Sequence, residues 1–178
     1  MVRHADPARD AAAIAAIYAP SVDSGVASFE TAPPDAGEMA RRIEDGSREY
    51  PWLVAERDGA VAGYAYGARH RSRAAYRWSV EVTVYVDVAR HRSGVGGELY
   101  EAMLPLLARQ RLHVAVAGIT LPNDASVALH EAVGFKPVGI YREIGYKAGA
   151  WHDVGWWQAW LRPTGAEPEE PLGPQSLT

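Results

Sequence analysis

Between Arg77 and Tyr100 the sequence reads RWSVEVTVYVDVARHRSGVGGELY, so a strand, a glycine-rich turn and a helix start follow one another with no spare residues. Residues 79–86 alternate, with Val80, Val82, Val84 and Val86 on one face and Ser79, Glu81, Thr83 and Tyr85 on the other. That is the period of a strand with one buried face, and it turns a carboxylate away from the valines. His91-Arg92-Ser93-Gly94-Val95-Gly96-Gly97 then leads into Glu98-Leu99-Tyr100, after which Leu99, Met103, Leu106 and Leu107 recur at helical spacing. Glycines at such a junction let backbone N–H groups close round a phosphate at the positive end of the helix dipole. A dinucleotide fingerprint is excluded, because Leu99 stands where the third glycine belongs. A P-loop is excluded too, since no Gly-Lys-Ser/Thr follows. What remains suits a diphosphate that is held and not hydrolysed.

The rest of the chain continues an α/β pattern. Val2 to His4 predicts a strand, Asp6 caps a helix with Pro7 in its first turn, and Ile14, Ile17 and Tyr18 form its apolar face. Residues 26–31 predict a short strand, and residues 34–46 a helix with Met39 and Ile43 inward. Asp58-Gly59 between two apolar runs predicts a hairpin. Pro105 is expected to bend or interrupt the helix after the glycine turn. Residues 113–120 read as a strand, and residues 124–133 as a helix capped by Asp124 and ended by Gly134. Two closing strands are expected near residues 137–146 and 154–161. Residues 1–162 are expected to form one domain. Residues 163–178, with Pro163, Pro168, Pro171 and Pro174 and no apolar periodicity, predict a flexible C-terminal tail.

A chain of 178 residues with 48% hydrophobic and 22% charged residues suits one globular domain. Its net charge of −4 argues against a general affinity for nucleic acid. No apolar run reaches the roughly 20 residues that span a bilayer, and Asp6, Arg9 and Asp10 occupy the place of a signal-peptide core. A cytoplasmic location follows as the expectation. With no cysteine the chain cannot form a disulfide or an acyl-cysteine intermediate. The six histidines show no zinc-like spacing, so no metal is expected.

The turn His91-Arg92-Ser93-Gly94-Val95-Gly96 resembles the Gln/Arg-x-x-Gly-x-Gly/Ala loop of GNAT N-acetyltransferases, with His91 in place of the usual Gln or Arg. Further segments are similar to the phosphinothricin N-acetyltransferase subfamily, which confers herbicide resistance, and to its methionine sulfoximine-acetylating relatives. They are Tyr50-Pro51-Trp52-Leu53-Val54-Ala55-Glu56, Ala75-Tyr76 with Trp78, Glu81 with Thr83-Val84-Tyr85-Val86, Leu121-Pro122-Asn123-Asp124 with Ser126, Leu129-His130-Glu131-Ala132, Gly145-Tyr146-Lys147 and Trp151-His152-Asp153-Val154-Gly155. The resemblance spans about residues 2–161. It implies a mixed, mostly antiparallel sheet with a V-shaped split between two parallel strands, flanked by helices. It also implies acetyl-CoA as donor, a small amino-acid-like acceptor and a homodimer.

Direct acetyl transfer needs a base, because an α-amino group is mostly protonated at neutral pH. Glu81 is the first candidate, with a charge pair on a sheet surface as the alternative reading. Many superfamily members place a tyrosine at the position of His130, where it protonates the departing thiolate. The resemblance therefore implies that His130 forms an active-site pair with Glu81 and serves in proton transfer, either to the departing CoA thiolate or within a relay to the amine. By the same resemblance, residues 83–86 (Thr83, Val84, Tyr85, Val86) offer a backbone N–H to the thioester carbonyl. His91, Arg92, Ser93, Gly94, Val95, Gly96 and Gly97 surround the diphosphate, while Asn123 and Ser126 meet the pantetheine arm. Tyr85 shares a strand face with Glu81 about 13 Å away, so it either positions a ligand or packs.

The Arg69-His70-Arg71-Ser72-Arg73 cluster can supply a cation for an anionic acceptor. Arg73 aligns with an arginine of the resembled enzymes, and Phe29 and Tyr76 are expected as apolar walls. His152 and Asp153 point to opposite faces of a strand and do not make a second pair. The expected reaction is acetylation of the α-amine of phosphinothricin or a close analogue such as methionine sulfoximine, inactivating an antibiotic or herbicide. The alternatives are another small amine such as methionine sulfone, a peptide N-terminus, or an acyl-CoA sensor without turnover.

Overall fold

The computed structural model describes residues 1–165 and 167–177. Its strands are β1 (Val2–His4), β2 (Trp52–Arg57), β3 (Ala60–Arg69), β4 (Ser79–Val86), β5 (Val114–Leu121), β6 (Lys136–Lys147) and β7 (Ala150–Trp160). The helices are α1 (Pro7–Asp23), α2 (Ala36–Gly46), α3 (Val95–Arg109) and α4 (Asp124–Ala132). One sheet takes the order β1-β2-β3-β4-β5-β7-β6. Every neighbouring pair is antiparallel except β4 and β5.

Each face of the sheet is covered separately. On one face Leu99, Tyr100, Met103 and Leu107 of α3 meet Val80, Val82, Ala115, Ala117 and Ile119 of the central strands. On the other, Ile14 and Tyr18 of α1 and Met39 and Ile43 of α2 meet Trp52, Val54 and Tyr64. Fully burying one such Leu or Met side chain is worth about 1.5–3 kcal/mol, so these stripes hold the helices in place. Asp6 fixes the start of α1 by accepting from the N–H groups of Ala8 and Arg9. Buried Asp10 in the same turn takes a two-pronged bond from Arg3 at 2.7 Å. The Arg3 guanidinium helps hold the Asp10 carboxyl below the usual carboxylate range despite the desolvation that opposes it.

Several sequence expectations change in detail. Residues 26–31 are not a strand: Ser28 bonds to the Tyr18 hydroxyl and Glu30 to Arg42, so side-chain bonds rather than a ladder hold this segment. Pro105 does not interrupt α3, which runs unbroken to Arg109. Pro105 and Glu101 both lie on the exposed face, where water can serve the carbonyl that loses its helical partner. Asn123, and not Asp124, caps α4 by accepting from the Ser126 N–H. The β6–β7 turn falls at Ala148 and Gly149, both at positive φ (53° and 78°), so β7 starts four residues earlier than predicted.

The proline-rich tail also finds partners. Glu170 binds Arg77 through two bonds of 2.8 and 2.6 Å, and the Glu169 carbonyl accepts from the Trp78 indole at 2.8 Å. Leu172 exchanges two 2.9 Å bonds with Gln110 at the end of α3. Ala166 and Thr178 of the predicted tail lie outside the described residues.

Candidate active site

β4 and β5 pair only from Ser79–Val114 to Glu81–Val116, although both strands continue well beyond. After Glu81 they diverge, while β4 keeps its full ladder with β3 on the other side. Backbone groups of residues 82–86 that face β5 therefore have no strand partner. This opening is the V-shaped split, and it leaves room for an extended ligand with main-chain donors along one wall.

The glycine turn closes one end of the split. Asp87 caps a short 3-10 turn by accepting from the Ala89 N–H, and the His91 ring bonds to the Val86 carbonyl at 3.1 Å. Ser93 donates to the Arg90 carbonyl. Arg92 and Gly94 take the left-handed conformation, at φ 58° and 84°. The first helical bond runs from Glu98 N–H to Gly94 O, so the N–H groups of Val95, Gly96 and Gly97 precede it at the positive end of α3. A Cβ at Gly96 would stand 2.8 Å from a terminal methyl of Leu129 of α4, so this glycine lets α4 pack closely on the start of α3. A Cβ on Gly97 would meet nothing within 4 Å, leaving an open approach to the helix start. Acetyl-CoA fits these features: the turn and first helical N–H groups suit its diphosphate, and the split suits its linear arm.

Glu81 sits at the last paired position before the strands part and lines a cleft of about 370 Å³. Gly118 and Thr120 of β5 form one wall, Tyr141 and Ile144 of β6 and Trp156 of β7 another, and Ala27 and Phe29 the rim. The Glu81 side chain is 34% exposed, and its Oε2 lies 3.3 Å from His70 Nδ1. Phe29 enters because Gly145 lacks a side chain: a Cβ there would stand 2.1 Å from the ring. Lys147 fixes the same segment by donating to the carbonyls of Val22 and Ser28, each at 2.7 Å. A cation among the last carbonyls of α1 also complements the helix dipole.

Other expected site residues lie elsewhere. His130 is 4% exposed, between α3 and α4. Its Nδ1 donates to the Ser126 carbonyl at 2.7 Å, and its Nε2 accepts from the Tyr100 hydroxyl at 2.8 Å. Burial pushes its pKa below the ordinary value, so the ring is held neutral with both nitrogens engaged. It is not among the residues that line the Glu81 cleft. Asn123 and Ser126 stand at the start of α4 beside His130.

Tyr85 is a packing residue on its side-chain side, 5.6 Å from the Tyr64 ring and 4.9 Å from Tyr18. Tyr76 is exposed, with its ring 6.1 Å from that of His70, and it is not among the residues that line the cleft. Arg73 lines a separate cavity of about 380 Å³, with Arg69, Arg71 and Arg77 nearby and the tail as one wall.

Sequence reasoning did not assign Gly118, Thr120, Tyr141, Trp156 or Lys147 to the site, and it named His70 only within a cationic cluster, not beside Glu81. A glycine inside an otherwise apolar strand was the available signal for Gly118. The aromatic walls of β6 and β7 had none, because they reach Glu81 only through long-range pairing.

A family model described as an acetyltransferase (GNAT) domain matches residues 5–156. The chain is a member of the GNAT acetyltransferase family. It is 44% identical to the phosphinothricin N-acetyltransferase of Streptomyces viridochromogenes over 151 residues, covering 85% of this chain and 82% of the relative. It is 35% identical over 161 residues to the L-methionine sulfoximine/L-methionine sulfone acetyltransferase of Pseudomonas aeruginosa, covering 89% and 94%. The crystal structure of a GNAT phosphinothricin acetyltransferase from Sinorhizobium meliloti, in complex with acetyl-CoA, superposes with a TM-score of 0.90 at 35% identity. That match covers 96% of this chain and 93% of the other. Membership makes this chain an acetyl-CoA-dependent N-acetyltransferase with the split sheet of the GNAT fold. Among the described residues no helix is long and apolar enough to cross a membrane, and no cluster of three or more His, Cys, Asp or Glu could hold a metal.

Proposed function

We propose that this GNAT enzyme acetylates the α-amino group of phosphinothricin or of a close analogue such as methionine sulfoximine. The observation that carries the proposal is the position of Glu81 at the mouth of the β4–β5 split, in a chain 44% identical to a phosphinothricin N-acetyltransferase. Acetyl-CoA supplies a thioester whose acyl carbon accepts an amine. Glu81 takes the proton from the acceptor's ammonium, directly or through one water, and a base so placed contributes about 10²–10⁴-fold in rate. An unpaired N–H on the β5 side of residues 83–86 serves the carbonyl as it becomes an oxyanion. The aromatic walls exclude water from the acceptor's side chain.

Arg73, which has no ion pair among the described residues, is the proposed anchor for the acceptor's anionic group. His130 is proposed to act through the scaffold: with Tyr100 and Ser126 it locks α4 against α3 and so holds the diphosphate turn. Exposed Val138, Ile140, Ile144, Tyr146 and Trp151 on the β6–β7 hairpin support a homodimer through that edge. A cytoplasmic role in detoxifying an antibiotic or herbicide follows from the proposed substrate.

The test is release of free thiol from acetyl-CoA with phosphinothricin, methionine sulfoximine, methionine sulfone and glutamate as separate acceptors. Rapid release with phosphinothricin and little with glutamate is expected. Preference for the sulfone would favour the activity named for the Pseudomonas relative, and no release with any of the four would overturn the proposal.

A further inference from the structure

The geometry points to His70 as the positioning residue for Glu81, donating from Nδ1 to one carboxylate oxygen so that the other is aimed at the acceptor's amine. The inference rests on Glu81 acting as the base.

His70 follows the end of β3 and is placed by contacts from three elements. Its ring stands edge-on to Trp156 of β7 at 5.7 Å and 73°, and edge-on to Tyr76 at 6.1 Å and 76°. Its Nδ1 reaches Glu81 Oε2 on β4 at 3.3 Å. The side chain is 16% exposed, so the two aromatic rings hold it in one orientation while leaving a path to water. Trp156 is itself a wall of the cleft, so the contact that orients His70 also shapes the acceptor site.

The surrounding groups leave this task to His70. Among the described residues that line the cleft, Glu81 is the only acid or base apart from the phenol of Tyr141. Neighbouring Arg69 is engaged by Glu49 at 2.9 Å, and Arg71 donates back to the His70 carbonyl at 3.1 Å. Tyr76 presents its ring to the imidazole. A carboxylate only accepts, so the bond between them requires the proton on Nδ1. The carboxylate, otherwise free to rotate, is thereby held with Oε2 occupied and Oε1 available. In the transfer the acceptor's N–H bond breaks and an O–H bond forms at Oε1. His70 keeps its own proton throughout and needs no other reactant.

The experiment compares His70→Ala, His70→Phe and His70→Asn in the full chain, using the best amine from the thiol-release panel. Circular dichroism and acetyl-CoA binding confirm folding. Losing a hydrogen bond to a charged group predicts a fall in kcat of about 10- to 100-fold for His70→Ala and His70→Phe, with the KM for acetyl-CoA unchanged. His70→Asn places an amide N–H where Nδ1 stood and is expected to recover most of the loss. Wild-type activity in His70→Phe would show that the ring merely fills space between Tyr76 and Trp156, and failure of His70→Asn to recover would show that the donor is irrelevant. Either result overturns the inference.

A readout without turnover separates this from failure of the proposed function. The ring ¹⁵N shifts of His70 should report the Nδ1–H tautomer in the wild type and lose that preference in Glu81→Ala. A dominant Nε2–H tautomer in the wild type would overturn the pairing whatever the substrate proves to be.

Discussion

Two histidines mark two regions built on opposite terms. Between α3 and α4, His130 is sealed with Tyr100 and Phe135, and its two ring nitrogens are matched to one acceptor and one donor. At the β4–β5 split, His70 makes one long bond to a half-open carboxylate and leaves its other nitrogen without a partner among the described residues. A fully matched buried pair resists rearrangement, because breaking it strands polar groups away from water. A partly matched, wet pair keeps one carboxylate oxygen open to an arriving substrate. The first region suits holding a scaffold and the second suits chemistry.

The sharpest way to break that assignment is Glu81→Gln. The amide keeps the shape but cannot take a proton, so kcat should fall about 10²–10⁴-fold. The turn that serves acetyl-CoA lies past the end of the strand, so its affinity should stay within about twofold. Turnover by thiol release and affinity by calorimetry check both halves. Retained turnover would remove Glu81 from the mechanism and return attention to the sealed region.

His130→Ala tests that sealed region with a different signature. Stranding the Tyr100 hydroxyl alone costs about 1–3 kcal/mol, and the vacated space adds to it. A Tm fall of several degrees is therefore expected, with much of kcat surviving below the new Tm. A fall in kcat beyond 100-fold with unchanged Tm would restore His130 as a proton donor. The wild type carries a pH signature as well. Folding holds His130 neutral, its pKa lowered by burial, so the unfolded chain binds the proton more readily. Its contribution to stability is complete above the unfolded value near 6.5 and is lost as pH falls from there towards the lower folded value. Denaturant midpoints between pH 7.5 and 5.5 should show a decline that His130→Ala flattens.

The contrast between the two regions also explains what the sequence disclosed. Local patterns announced β4, the glycine turn, the Asp58-Gly59 hairpin and the cap of α1, because each is decided within about ten residues. Glu81 was legible for the same reason: alternation alone turns it away from the valines. His130 was legible as a position but not as an environment, since its burial depends on Tyr100, thirty positions away in the chain. The cleft was least legible. Its walls come from residues 27–29, 118–120, 141–144 and 154–156, which meet only when β7 inserts between β5 and β6. Proline-based expectations met partners that are remote in sequence. Pro105 sits on the wet face of α3, where a missing bond costs little, and the tail prolines flank residues that dock.

That tail links the two regions, and cutting it is the gentlest test of whether they are independent. Residues 169–172 run from Gln110, at the end of the helix that carries Tyr100, to Trp78, three residues before Glu81. The two Leu172–Gln110 bonds contribute about 1 kcal/mol each. Since about 1 kcal/mol moves Tm by 2–4 °C in a chain of this size, ending the chain at residue 168 should lower Tm by roughly 4–8 °C. The Glu170–Arg77 pair is exposed, so its share should shrink as salt rises and the penalty should be smaller in 1 M salt than in 0.05 M. Turnover should change by less than about threefold, because β4 is also held by its seven-residue ladder with β3. A larger loss of turnover, with acetyl-CoA affinity intact, would mean that the strap tunes the approach of Glu81 and His70, and that scaffold and cleft are coupled through the C-terminus.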